Sequence, residues 1–497
     1  MENKDGTWKK DTEDVRIREH SYIGDTGEVK RGDTRLAVKV GFWYFVSSFL
    51  VKAISFITTP FFSRMMNQEA YGEFSNYANW QAILLIIVGL ELYNTMSRAY
   101  YDYIDDYDQY AVSISFGASV VTVVCYVMFL VFEKWIYIVV VIPSQFIHIL
   151  FFTLLCQNYK LIFLARERTL YHYKSVAVIS IIDLIIPTFI AVALVALSRE
   201  DMRLSARIYG HYIPSALIGL SCGVYMLKQG HAVQLSHLKY ALKLSLPLLA
   251  HYLTAYMLTS SDVFVTRSIL GASTAAVVSI AGSVIHILTA LFQSLSGAVT
   301  TWIMDNLKQE KTNVVRKYTL FYVALLALCA AGVIMLAPEI IWILGGKKYN
   351  DSILLIPGLI VGTLISATTS LFTIILTYDK RVIPTAAATT IVAALSVASK
   401  ALILKHYGYT ILPCVNIIAY SILFVVNYFL VRGSHDSAIN IKGFIGILFA
   451  DFIVMATSGF LYAHTAIRYT VVLTVIVGLF GLLIHKHKLI LAYIKKK

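Results

Sequence analysis

The chain has 497 residues, 58% hydrophobic and only 14% charged, with a mean hydropathy of +0.70. Soluble domains carry about 25% charged residues, so the soluble class is excluded and an all-α, polytopic membrane protein is expected. The net charge of +13 sits between apolar runs, which points to lipid headgroups and not to nucleic acid.

Residues 1–35 carry charges of both signs and few aliphatics. They lack an apolar core followed by a small-residue cleavage site, so they read as a disordered cytoplasmic arm and not a signal peptide. From Leu36 onward, apolar runs of about 20 residues recur and predict about fourteen spans. The first six are Leu36–Phe62, Phe74–Tyr100, Gln109–Val131, Ile136–Phe163, Tyr171–Leu197 and Ala206–Leu227, an N-lobe over 36–227. The next six are Lys239–Ile269, Ser273–Met304, Arg316–Ala337, Ser352–Thr377, Val382–Leu404 and Thr410–Val431, a C-lobe over 239–431. An extra pair, Ile441–His464 and Arg468–His487, fills 441–487, and a basic tail covers 488–497.

The arm, LARER, KQGHAVQLSHLK, NLKQEKTNVVRK, YDKR and AYIKKK fall on one face. About thirty Lys and Arg residues lie there against about eleven on the other face, which predicts a protein of the cytoplasmic membrane with both termini on its cytoplasmic side. PEIIWILGGKKYND is the longest external loop, leaving no room for a soluble catalytic domain. No GxxxxGK[ST] loop is present, which argues against an ATP-driven pump built on this chain alone. The five cysteines lie in or beside apolar runs without CxxC spacing and read as packing residues. Pro143, Pro187, Pro214, Pro247, Pro357 and Pro413 fall within spans, where they permit kinks.

A charge at mid-bilayer costs from about 3 to over 10 kcal/mol, so it should face water or a partner. On the first span Tyr44, Ser48, Lys52, Ser55 and Thr59 share a face; on the second, Asn76, Asn79, Glu91, Asn94, Ser97 and Arg98 do. His251, Thr259, Asp262 and Thr266 align on the seventh span, Ser279, His286, Gln293 and Thr300 on the eighth. Thr385, Thr389, Ser396 and Lys400 align on the eleventh. These stripes predict a wet central cavity, with Lys52, Arg98 and Lys400 opposed by Glu91 and Asp262. Asp183, on the face of His172 and Ser180, is either a further ion carrier or a structural partner of a basic residue.

The halves echo each other. The first span closes on TPFFSR at Arg64 and turns into the second; the seventh closes on DVFVTR at Arg267 and turns into the eighth, about 200 residues later. The stretch ISFITTPFFSRMMNQEAYGEFS, with Pro60, Arg64, Tyr71 and Gly72, resembles the first helix and turn of the oligosaccharide-lipid flippases. These are the Wzx-type branch of the multidrug/oligosaccharidyl-lipid/polysaccharide superfamily, and SSDVFVTR is similar to their Ser-Asp element. Lipid II flippases and drug/cation antiporters share that architecture.

The resemblance implies two six-helix lobes around a cavity open alternately to each side. The substrate it implies is a polyprenyl-pyrophosphate-linked sugar repeat unit, with membrane lipids and other polysaccharide-assembly proteins as partners. Lys52, Arg64, Arg98, Arg267 and Lys400 would serve the pyrophosphate. Tyr44, Asn76, Asn79, Trp80, Asn94 and Gln293 would serve the sugar. No cofactor is implied; coupling to a proton or sodium gradient would use Glu91, Asp262 or Asp183. A drug/cation antiporter would favour carboxylates over these cations. A membrane glycosyltransferase or polymerase would need larger external loops than these.

Overall fold

In lipid each backbone group must be satisfied within its own segment, so the apolar runs become helices. The computed structural model describes residues 22–24, 27–29, 54, 57–435 and 438–474. Lys52 and Tyr44, with most of the arm and the basic tail, lie outside these residues. Within the arm, Tyr22–Gly24 (β1) and Gly27–Val29 (β2) pair antiparallel, with Ile23 opposite Glu28.

The first helix, α1, is described over 57–65. It is followed by α2 (Gln68–Gly89), a 3-10 turn (Leu92–Thr95), α3 (Met96–Asp102), α4 (Tyr107–Val131), α5 (Glu133–Val140) and α6 (Ile147–Thr169). Then come α7 (Tyr173–Leu197), α8 (Arg203–Gly230), α9 (Leu235–Leu270), α10 (Ala272–Lys308), α11 (Thr312–Met335) and α12 (Ala337–Leu344). The chain continues through α13 (Ile356–Tyr378), α14 (Val382–Tyr407), α15 (Leu412–His435) and α16 (Ile441–Ala463), and α17 is described over 465–474. Among the described residues nine helices are long and apolar enough to span a membrane, or ten with α2 and α3 as one bent span. Adding α1, α8, α9 and α17, the chain order accommodates all the expected spans.

The duplication is visible in where helices begin. Gln68 and Ala272 start α2 and α10, 204 residues apart, and Glu133 and Ala337 start the eight-residue helices α5 and α12 at the same offset. From α6 and α13 onward the offset is 209, because the segment between α12 and α13 is longer than that between α5 and α6.

Three local features depart from the sequence reading. Ile136–Phe163 is not one helix: Val141 adopts φ 41° and Pro143 follows, so α5 ends and the span restarts at Ser144. PEIIWILGGKKYND is not an open loop but α12 and a 3-10 segment, Lys347–Leu354. Pro357 and Pro413 sit in the first turn of α13 and α15, where a missing N–H removes no helix bond. Pro187, Pro214 and Pro247 do lie inside helices.

The turn between α1 and α2 is fixed by Asn67, whose side chain accepts the Ala70 N–H at 2.7 Å. Its counterpart between α9 and α10 is Gly271 at φ 91°, a conformation suited to glycine. Where the two turns meet, a Cβ on Gly72 would lie 1.8 Å from the Ala272 carbonyl oxygen, so only glycine allows α2 and α10 to cross this closely. One core cluster runs across this crossing, joining Phe62, Met66 and Tyr71 to Ala276, Ile280 and Tyr349.

Candidate functional site

At the Arg64 end the lobes are clasped. Arg64 Nη2 donates to the Trp342 and Ile343 carbonyls at 3.3 and 3.2 Å, capping the C-terminus of α12. Ser63 donates to the Leu344 carbonyl, Lys348 Nζ reaches the Met66 carbonyl at 2.6 Å, and Gln68 returns a bond to the Lys348 carbonyl. Arg267 pairs with Glu73 across the same seam. Behind it, buried Arg207 lies over Phe74 at 3.6 Å, Phe62 at 4.1 Å and Tyr71 at 4.9 Å. The residues of the flippase-like turn are therefore contacts between lobes. Arg64 and Arg267, expected in the cavity, belong to this closed seam.

At the opposite end the described residues join the lobes chiefly through one helix. Among the described residues the substantial contacts there between N-lobe and C-lobe come from α9, which packs on α4 and on the Leu92–Thr95 turn. Exposed Ser97 and Arg98 on α3, and exposed His286 and Gln293 on α10, lie beyond the α2–α10 crossing. The second span is discontinuous here: Leu90 and Glu91 both take left-handed backbone conformations, φ 48° and 54°. Each costs a non-glycine residue about 1–2 kcal/mol, and the span bends by 51°. Glu91 is buried and accepts from Asn94 Nδ2 at 2.6 Å. Two turns on, the Arg98 side chain is 69% exposed, with Nε on Asp102 at 3.1 Å. At the end of this span the Tyr240 hydroxyl donates to the same Asp102 carboxylate that holds Arg98.

Lys400 and Asp262 occupy a third place. Fully buried Lys400 Nζ meets Asp262 at 2.7 Å and Ser261 Oγ at 2.8 Å, and Asn416 Nδ2 donates to the same carboxylate at 2.7 Å. This set ties α9, α14 and α15 together inside the C-lobe. The N-lobe has a similar set, in which Asp183 takes the second of its two expected roles, partner of a basic residue; the sequence reading did not name that residue. Lys160 on α6 binds Asp183 on α7 at 2.6 Å, and Ser215 on α8 donates to Asp183 at 2.7 Å. Lys160 interrupts the apolar run FFTLLCQNYKLIFL, the signal that would have supplied Asp183 with its partner.

The amide residues divide. Asn94 lies at the Glu91 break. Asn76 is buried in the N-lobe, donating to the Val141 carbonyl at 3.0 Å. Asn79 and Trp80 bridge to the C-lobe instead, through the Tyr256 hydroxyl at 3.3 Å and the Phe264 ring at 5.3 Å.

The first turns of α9 seat against the N-lobe through His237, just ahead of the expected span at Lys239. Its ring is buried against Tyr103 and Tyr110, 3.5 Å from Ser113 Oγ. Burial pushes its pKa below the ordinary 6.5, against the opposing pull of Asp106 and a Gln109 backbone bond. The unfolded chain therefore takes up this proton more readily. Stability is full above about pH 6.5 and falls as the pH drops through that value toward the lower folded pKa. Thermal unfolding in detergent at pH 7.5 and 5.5 is expected to show a larger acid loss for the native protein than for His237→Asn. Equal losses would remove His237 as the cause.

Two six-helix repeats crossing at one end and joined chiefly through α9 at the other, with a further helix pair, define the fold of the multidrug/oligosaccharidyl-lipid/polysaccharide superfamily. Residues 103–354 match the family described as polysaccharide biosynthesis protein, and the chain belongs to that family. Lipid II flippase MurJ in an inward closed conformation superposes with a TM-score of 0.68 at 16% identity, covering 90% of this chain and 99% of that one. A multidrug resistance MATE family transporter gives 0.58 at 11% identity in its inward-facing form, over 78% of this chain and 98% of that one. An outward-facing form gives 0.55 at 12% identity, over 82% and 97%. No curated protein matches the sequence.

Proposed function

We propose that this protein is a flippase of the cytoplasmic membrane that moves a polyprenyl-pyrophosphate-linked oligosaccharide repeat unit outward, for surface-polysaccharide assembly. It would work by alternating access, and no covalent bond is made or broken. The observation that carries the reading is the exposed Arg98 guanidinium on a discontinuous span, at the end where the lobes are joined chiefly through α9, while the other end is clasped. With the termini inside, the clasped end faces out and Arg98 faces the inner leaflet, where a pyrophosphate headgroup would enter. A guanidinium grips phosphate in a planar, two-pronged manner, and Asn94, Gln293 and His286 offer bonding groups to the sugar. The lipid tail would stay in the bilayer between the lobes. Glu91 is the ion carrier we assign, because its bond is to Asn94 whereas Asp183 and Asp262 are each held by a lysine.

Proteoliposomes loaded with a lipid-linked oligosaccharide test this by leaflet transfer, with and without an imposed pH or sodium gradient. Arg98→Ala is expected to slow transfer about 10- to 100-fold, the worth of a hydrogen bond to a charged group, and Arg98→Lys to slow it less. Glu91→Gln should transfer at a rate indifferent to the gradient. Unimpaired transfer by Arg98→Ala would overturn the anion site; absence of transfer by the native protein would overturn the flippase.

A further inference from the structure

At the clasped end of the N-lobe, beside α5, lies an open cleft of about 760 Å³ lined by Glu133, Lys134, Tyr137, Pro143, Ser144 and Gln145. Its backbone is held from below. Buried Asn76 on α2 binds the Val141 carbonyl at 3.0 Å, at the left-handed residue where the chain turns out of α5. Val140, Ile142 and Phe146 point down into the N-lobe core. Pro143, Ser144 and Gln145, between Ile142 and Phe146, line the cleft over a floor that packing keeps rigid.

The repeat makes this cleft informative. The equivalent segment of the C-lobe, which begins 204 residues later, spends its groups on the α1–α2 turn, as Lys348, Trp342 and Leu344 show. Among the described residues no hydrogen bond joins 133–146 to the C-lobe, although α5 packs on α9, and Glu133, Lys134, Ser144 and Gln145 are exposed. One carboxylate and one ammonium cancel in charge, so the lining selects neither a phosphate nor a cation. A hydroxyl and an amide add donors and acceptors that match sugar hydroxyls. The Tyr137 ring, 44% exposed, offers an apolar face for stacking against the C–H face of a pyranose. The volume lies within the range of small-ligand sites, about 300–1,000 Å³, enough for two or three sugar residues. Trp135, 77% exposed on the same short helix, suits the level of lipid headgroups.

We propose that this cleft is a saccharide-binding subsite on the outward face, taking the uncharged part of the glycan as it leaves the cavity. The assignment of a sugar rests on the cleft itself; only its arrival from the inner leaflet rests on the flippase reading. Detergent-purified full-length protein is probed on an array of lipid-free surface-polysaccharide oligosaccharides, and the best ligand is titrated calorimetrically. Tyr137→Ala and Gln145→Ala, both exposed positions, are expected to weaken binding about tenfold or more by loss of a stacking face and an amide bond. Their melting profiles should match the native one. Lys442→Ala, an exposed position on α16 outside both the cleft and the cavity, is expected to bind as the native protein does. The proposal is overturned if the native protein retains no glycan beyond the level of the Tyr137→Ala/Gln145→Ala double variant, or if Arg98→Ala abolishes binding that the cleft variants keep. Glycan binding without leaflet transfer would leave the cleft standing and remove the flippase.

Discussion

Lys400→Ala is expected to destabilise the folded protein by about 3–5 kcal/mol, the cost of stranding a buried partner charge. Lys400 is 0% exposed and sits against Asp262 and Ser261, while Asn416 satisfies part of the same carboxylate. Removing the ammonium leaves Asp262 with one amide donor in an apolar bundle. Asp262→Asn should be costly for the converse reason, since it strands the lysine. The double variant Asp262→Asn/Lys400→Met removes both charges with little change of volume and should recover most of the loss. Thermal unfolding in detergent, read by tryptophan fluorescence, measures all three. Should Lys400→Ala melt with the native protein, the pair is not a structural tie. Should the double variant fold but fail to transfer lipid-linked sugar, the pair has a part in transport beyond holding three helices. The N-lobe pair, with Lys160 10% and Asp183 23% exposed, is more accessible and should lose less on Lys160→Ala.

The contrast between these pairs and the sequence reading has a physical cause. An apolar run long enough to cross a bilayer has few alternatives to a helix, so among the described residues most helices and their order were legible in the sequence. The Arg64–Arg267 echo was legible as well, because a duplicated half repeats its turns. A polar stripe, by contrast, tells which side chains share a face and not what that face meets. The stripe of α14 runs through Thr385, Thr389, Ser396 and Lys400; it meets α9, and its threonines bond carbonyls four residues back in their own helix. Asn76 shares a helical face with Arg98 yet ends inside the N-lobe, because α2 stops at Gly89 and the chain bends before Arg98. That bend rests on two left-handed residues that are neither glycine nor proline, Leu90 and Glu91. Nothing in their residue types announces it; tertiary packing imposes it. The Pro143 break has a readable signal, a proline directly after the β-branched run 138–142, but one that does not decide a break because membrane helices tolerate proline.

Reversing one charge of the Glu73–Arg267 pair is expected to open the clasped end. Both side chains are mostly buried, at 11% and 20% exposure, and they lie where α2 and α10 cross too closely for any side chain at Gly72. Arg267→Glu sets two carboxylates against each other; Glu73→Arg does the same with two guanidiniums. Each loses a charge-assisted bond worth about 1.5–3 kcal/mol, and each 1.4 kcal/mol shifts a two-state population about tenfold. The reporter is a cysteine at Asn79, which bonds Tyr256 across the lobes, in a background with Cys125, Cys156, Cys222, Cys329 and Cys414 changed to serine. A membrane-impermeant maleimide added from outside should label it about tenfold faster or more in either single variant, by the same arithmetic. The double variant Glu73→Arg/Arg267→Glu should return labelling toward the native rate, since the pair re-forms with its ends exchanged. If the singles label like the native protein, the seam is held by Arg64, Lys348 and the Gly72 crossing without this pair. If they label faster only from the inside, the clasped end faces the cytoplasm and the orientation drawn from the positive charges is reversed. The clasped end thus combines an apolar cluster across the Gly72 crossing with the polar bonds of Arg64, Lys348 and the Glu73–Arg267 pair, and the charge reversals separate the polar share of its closure from the packing share.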